Sequence, residues 1–158
     1  MRPIAPALVP LLASLAVAGC VSVNATHHTA HAPTPSDGRI EVAFPEPMRT
    51  HTLANMRDHL LALQEIQQAL ADGAYERAAG VAEKRLGMTS LGSHGAHDVA
   101  RFMPEGMQAI GTEMHRTASR FAVEAANAGA TGNVKPSLAA LARVMQQCVA
   151  CHAGYRMK

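Results

Sequence analysis

The chain has 158 residues, enough for one domain with accessory segments, and its net charge of +2 gives no indication of nucleic-acid binding. Apolar residues make up 48% of the chain but aromatic residues only 3%, and there is no tryptophan. Alanine, leucine and methionine therefore supply most of the apolar side chains, which favours helix over sheet. A core with so few rings would gain from a large, flat cofactor at its centre.

The N-terminal residues 1–19 have the pattern of a secretory signal. Arg2 gives a positive start, and the apolar run over residues 4–18 is too short for a permanent membrane-spanning helix. The run ends in VAGC, which resembles the bacterial lipobox, where cleavage before the cysteine leaves it lipidated. We predict a lipid on Cys20 and a periplasmic protein anchored to a membrane of the bacterial envelope. An ordinary signal peptide with an incidental cysteine is the alternative.

Residues 20–46 consist mainly of serine, threonine, asparagine, histidine, alanine and proline, without a sustained apolar period. This composition predicts a flexible tether between the lipid and a folded domain. His27, His28 and His31 lie within it and could bind zinc or copper weakly. A polar arm is the favoured interpretation, because no fixed scaffold orients the three rings.

A folded domain is predicted over residues 47–158. Apolar side chains recur there at steps of three and four, which is the spacing of one face of a helix. Gly73, Gly87 and Gly132 interrupt the pattern, and Pro47 and Pro136 suit first helical turns. Four helices with fairly short links predict an all-α fold, an antiparallel four-helix bundle. The four apolar stripes run over residues 53–70, 75–86, 107–121 and 138–155.

The last helix contains the sequence CVACH, in which Cys148, Cys151 and His152 have the spacing of c-type haem attachment. Positions three and four apart share a helical face, so both thiols can bond one porphyrin while the imidazole meets its iron. A dithiol redox site would be expected in a βαβ context, and a zinc site needs further ligands. We predict one covalent haem c with His152 as an iron ligand.

Two stretches are similar to patterns of the cytochrome c-prime family. CVACHAGYR follows C-x-x-C-H-x-x-[YF]-R, and the segment from Arg49 to Met56 follows R-x-x-x-[LMF]-x-x-M. The resemblance covers roughly residues 45–158. It implies that Arg156 lies beside His152, that Arg49 lies near a haem propionate, and that Leu53 faces the iron from the distal side. Members of the family often pair through their first two helices, so a homodimer is one expectation.

The residue opposite His152 decides what the haem does. A leucine cannot ligate iron, so Leu53 predicts a five-coordinate iron whose apolar site admits nitric oxide or carbon monoxide. Met56 lies three residues further along the same stripe. Its sulfur at the iron would give a six-coordinate, low-spin electron carrier instead.

We therefore expect a non-enzymatic cytochrome that transfers electrons with a partner protein, binds a small gas, or does both. The alternative from another class is a haem enzyme such as a nitric oxide reductase or peroxidase, which usually needs a distal acid, base or hydrogen-bond donor. His51 and Asn55 are two residues from Leu53 and are expected to point away from its face. A membrane-held haem sensor is a third class. His94 and His97 are interpreted as surface residues, with contact to the haem edge as the alternative.

Overall fold

The computed structural model describes residues 37–158, which are mostly helical, as the sequence predicted. The predictions for the signal peptide, for Cys20 and for His27, His28 and His31 lie outside the described residues. A 3₁₀ turn covers Met88–Ser90. None of the described helices is long and apolar enough to cross a membrane. The other elements are β1 (Ile40–Val42), α1 (Glu46–Ala71), α2 (Tyr75–Arg85), α3 (Ala96–Ala100), α4 (Glu105–Thr131), α5 (Lys135–Gly154) and β2 (Tyr155–Met157).

Proline and glycine set most of the helix ends. Pro47 and Pro136 occupy the first turns of α1 and α5, where the missing N–H costs nothing. Gly73 and Gly132 follow α1 and α4 with φ of 69° and 72°, a left-handed conformation that glycine adopts without strain. The connection between α2 and α4 is more ordered than an irregular loop, because it contains the 3₁₀ turn and α3.

The helices pack as three neighbouring pairs, α1 with α2, α2 with α4, and α4 with α5. Fully buried alanines such as Ala62, Ala78 and Ala118 let these backbones approach closely, and Ile66 and Phe121 fill the space between them. Among the described helices, α1 and α5 do not form such a close pair. The CVACH motif lies on α5 and borders the space between these two helices.

A parallel pair of short strands joins the two ends of the described chain. Ile40, Glu41 and Val42 pair with Tyr155, Arg156 and Met157. Val42 is 3% exposed and packs in a small second core with Phe44, Val99 and Met107. Strand β1 and Phe44 belong to this compact unit, and they lie within residues 20–46, for which the sequence predicted a flexible tether. Three residues are too few for a strand period to be read, and their partner lies more than a hundred residues away.

We expect Val42→Ala to lower the free energy of unfolding by about 1–2 kcal/mol, because two buried methyl groups are lost. Ile40→Ala on the same strand is the matched control. Its side chain is 55% exposed, so the change should stay within about 0.5 kcal/mol. Urea unfolding of both variants measures the difference, and equal effects would contradict the packing of β1 on the domain.

Candidate haem-binding site

A cavity of about 390 Å³ lies among α1, α3, α4 and α5. Its walls are mainly apolar, and its volume is within the range of about 300–1,000 Å³ that small-molecule and cofactor sites occupy. Cys148, Cys151 and His152 line it from α5, and Met56 lines it from α1. The motif residues and one of the two candidate distal residues therefore face the same space.

The two cysteines are free thiols, and each is partly buried. Burial raises the pKa of Cys148 and of Cys151, so both remain protonated at neutral pH. Reactive dithiol centres show the opposite perturbation, because a lowered pKa supplies the thiolate. The environment of this pair therefore does not favour disulfide exchange, and it is compatible with thiols that are consumed by attachment to a cofactor.

The face that α1 turns toward the cavity contains Thr52, Met56, His59 and Leu63. Leu53 is half-buried and is not among the lining residues. The apolar stripe read from the sequence and the observed cavity face share Met56, Leu60 and Leu63. Near the start of the helix the cavity face contains Thr52 in place of Leu53. Hydrophobicity alone cannot separate two stripes that share so many positions, since neighbouring residues differ by only about 100°.

The two arginines that the family resemblance assigned to the haem make other contacts. Nε of Arg49 donates a hydrogen bond to the main-chain oxygen of Lys158 at 2.8 Å. The Arg156 guanidinium pairs with Glu41 at 2.6 Å and lies 3.6 Å from Asp37. Both arginines therefore link the segment around β1 and the start of α1 to the residues that follow His152.

A cluster of three histidines also lines the cavity. The ring of His94 lies 4.8 Å from that of His59 and 5.3 Å from that of His115, centroid to centroid, and the His59 and His115 centroids are 6.3 Å apart. His115 is 8% exposed, and its Nδ1–H donates to the carbonyl of Leu86 at 2.7 Å. Nε2 of His59 is buried without a hydrogen-bond partner.

The sequence alone indicated no role for His59 or His115, and it favoured a surface position for His94 over contact with the haem edge. The only signal for His59 is its position three residues after Met56, on the same helical face. His97, the other histidine of the loop, is 96% exposed. Asn55 lines the cavity as well, and its Nδ2 donates to the carbonyl of His94 at 3.4 Å.

The environment of the cluster keeps its rings neutral. Burial, followed by the proximity of His94 and His115, lowers the pKa of His59 to about 4 from its usual 6.5. Asp58 raises the pKa of His59, and Arg85 lowers it. Burial also lowers the pKa of His94 and of His115. At neutral pH these three imidazoles are therefore uncharged.

We expect the domain to lose stability as the pH falls from about 6.5 toward 4. The unfolded chain binds protons on these histidines in that range while the folded chain does not, so acid favours unfolding. A shift from 6.5 to about 4 corresponds to roughly 3 kcal/mol for His59. Urea unfolding at pH 7 and pH 4.5 should show a smaller pH effect in His59→Leu than in His97→Leu. Equal pH effects in the two variants would contradict this prediction.

As the side chains lie, no group of three His, Cys, Asp or Glu residues within positions 37–158 could hold a metal ion. The three histidines form part of the cavity wall. If a c-type haem were attached here, Cys148 and Cys151 would bond carbon atoms of the porphyrin and His152 would ligate the iron. No protein-family model, no curated protein and no solved structure matches the chain.

Proposed function

We propose that the protein is a c-type cytochrome with one haem c in this cavity, bonded to Cys148 and Cys151 and ligated by His152. One observation carries the proposal. Three side chains with the spacing of haem attachment open together into an apolar cavity of about 390 Å³. When bound, haem supplies reversible one-electron chemistry and an iron atom that can take a small gas.

The residues present fit such a group. Both thiols are un-ionised and unpaired with each other, so each is available for a thioether bond. The cavity wall at Gly111 leaves space for a flat ring. Even a Cβ added at this glycine would contact only the terminal methyl group of Met103, at 3.8 Å. The remaining wall supplies apolar contacts for a porphyrin. These contacts come from Leu60, Leu63, Val99, Met107, Ile110 and Met114.

We further propose that α1, α2, α4 and α5 form an antiparallel four-helix bundle similar to cytochrome c-prime. The order of helix contacts supports it, since each helix packs on the next one along the chain. The side-chain contacts between neighbouring helices have the register expected of antiparallel helices. Arg85 binds Asp58 across α1 and α2, and Ser137 Oγ donates to the Glu124 carbonyl across α4 and α5 at 2.8 Å.

In this proposal the protein transfers electrons, binds nitric oxide or carbon monoxide at a five-coordinate iron, or does both, without catalysing a reaction. The apolar lining supports it, because such a wall excludes charged ligands and admits neutral diatomic molecules. The absorption spectrum of the ferrous protein tests it. A high-spin spectrum that shifts with carbon monoxide is expected, and an unchanged spectrum would contradict gas binding.

A second candidate is a six-coordinate electron carrier with Met56 as the sixth ligand. It is favoured by the position of Met56 on the cavity wall, where Leu53 is not. A low-spin spectrum with a methionine-to-iron charge-transfer band is its expected signature.

The histidine cluster gives the enzyme alternative more support than the sequence did. His59, His94 and His115 bring uncharged imidazoles to the cavity, and a neutral imidazole can accept or donate a proton. Consumption of nitric oxide or hydrogen peroxide by the purified protein distinguishes this class. Turnover that is lost in His59→Leu but retained in His97→Leu would favour the enzyme over the carrier.

We propose that the protein is exported and held at a membrane of the bacterial envelope by a lipid on Cys20. The sequence VAGC and the attachment of c-type haem outside the cytoplasm support this location. Labelling with a radioactive fatty acid should mark the wild-type chain and not Cys20→Ser. An unlabelled wild-type chain would contradict lipidation of Cys20.

Homodimer formation is a separate question, which sedimentation of the holoprotein tests.

A further inference from the structure

We propose that His59 donates a hydrogen bond from Nε2 to a small neutral ligand held at the haem iron in this cavity. This inference rests on the proposed haem site and goes beyond it. It assigns a ligand-binding role to a residue outside the CVACH motif and outside the two stretches that resemble a known family.

Contacts between helices put His59 at about the same height along the bundle as the first haem-attaching cysteine. Arg85 binds Asp58, and the next residue, Leu86, accepts the hydrogen bond from His115 on α4. The α4–α5 register follows from the Ser137–Glu124 hydrogen bond and from the close approach of Tyr155 to Gly106. The Tyr155 hydroxyl is so near that a Cβ added at Gly106 would lie only 2.5 Å from it. Both contacts correspond to one and the same antiparallel register of α4 against α5.

In that register Cys148 lies opposite Glu113, two residues from His115. Two residues of an α-helix correspond to a rise of about 3 Å. His115 and His59 have ring centroids 6.3 Å apart. The histidine cluster and the Cys148 thiol therefore line the cavity at a similar height, on walls formed by different helices.

The imidazole of His59 is held in place but not used by the protein. Its ring contacts the ring of His94 at a centroid distance of 4.8 Å, and the adjacent Asp58 is fixed by Arg85. Its Nε2 is nevertheless buried without a partner. A buried polar nitrogen without a hydrogen bond destabilises the fold, so a ligand that accepts this bond would be bound more tightly.

Thr52 is the other cavity residue of α1 with a buried, unpartnered polar atom, its Oγ1. It lies seven residues before His59 on the same helical face, with Met56 between them. Its hydroxyl is thus the natural comparison for His59. We assign the donor role to His59 because the rings of His94 and His115 pack beside it, whereas no hydrogen bond fixes the Thr52 hydroxyl.

The test uses the haem-loaded, ferrous protein with carbon monoxide as the probe. The variants are His59→Leu, which removes the donor, and His59→Gln, which restores an N–H donor. Thr52→Val and the exposed His97→Leu are the controls. The C–O stretching frequency by infrared spectroscopy and the rate of carbon monoxide release are measured. A hydrogen bond to the oxygen atom of the bound carbon monoxide lowers the C–O stretching frequency and slows release of the ligand.

We expect His59→Leu to raise the stretching frequency and to speed release about tenfold, the effect of one hydrogen bond. His59→Gln should lie between His59→Leu and the wild type. The exposed His97→Leu should match the wild type, and Thr52→Val should shift both quantities less than His59→Leu does. Unchanged frequency and release in His59→Leu would overturn the proposal while leaving the haem site intact. So would a shift found only in Thr52→Val, or a low-spin wild-type spectrum that His59→Leu abolishes. A chain without covalent haem would overturn the proposed function as well.

Discussion

The variant Cys148→Ala/Cys151→Ala is expected to contain no covalent haem when it is produced in a host that attaches haem to exported cytochromes. Both thiols line the cavity, and no third described cysteine can replace them. The measurement is the mass of the intact chain after denaturation. Wild-type protein should carry the mass of one haem, and the double variant should have only the mass of the polypeptide.

Val149→Ala is the matched control, because Val149 lies between the two cysteines and is 69% exposed. It should retain one haem per chain. Each single cysteine variant should retain at most one thioether bond, so its haem should be extracted more readily. Covalent haem in the double variant would refute attachment at this motif.

Met56→Ala is expected to speed carbon monoxide binding about tenfold, whereas Leu53→Ala should leave the rate close to that of the wild type. Met56 lines the cavity and Leu53 does not, so only the first truncation removes a side chain from the ligand's space. A tenfold change corresponds to about 1.4 kcal/mol of steric interaction. Stopped-flow mixing of the ferrous proteins with carbon monoxide gives both rates.

Two other results would change which residue is assigned to the distal side of the iron, opposite His152. A larger effect of Leu53→Ala would support the position implied by the family resemblance over the cavity wall. A low-spin wild-type spectrum that becomes high-spin in Met56→Ala would establish the methionine-ligated carrier in place of the open iron site.

The helices were predictable because their signals are local. The three- and four-residue steps, Pro47, Pro136, Gly73 and Gly132 each act within a turn or two of the backbone. The stripe on α4 and the motif on α5 were visible for the same reason. The coarse fold class could therefore be derived from the chain alone, and the structure confirms that the described residues are mostly helical.

The cavity wall depends on contacts that the sequence does not encode locally. Leu53 and Met56 both fit an apolar stripe, and the rotation of α1 against its neighbours decides which of them faces inward. His59, His94 and His115 come from three separate elements and meet through the register of those elements. Strand β1 pairs with a segment more than a hundred residues away. A single sequence contains no measure of such distant pairings.

The proposed haem site can be located by anomalous diffraction at the iron absorption edge from crystals of the haem-loaded protein. We expect one iron peak per chain, inside the cavity between α1 and α5 and within bonding distance of a ring nitrogen of His152. Continuous electron density should join the porphyrin to Cys148 and Cys151. A chain without an iron peak, or with iron bound away from His152, would refute haem attachment in this cavity.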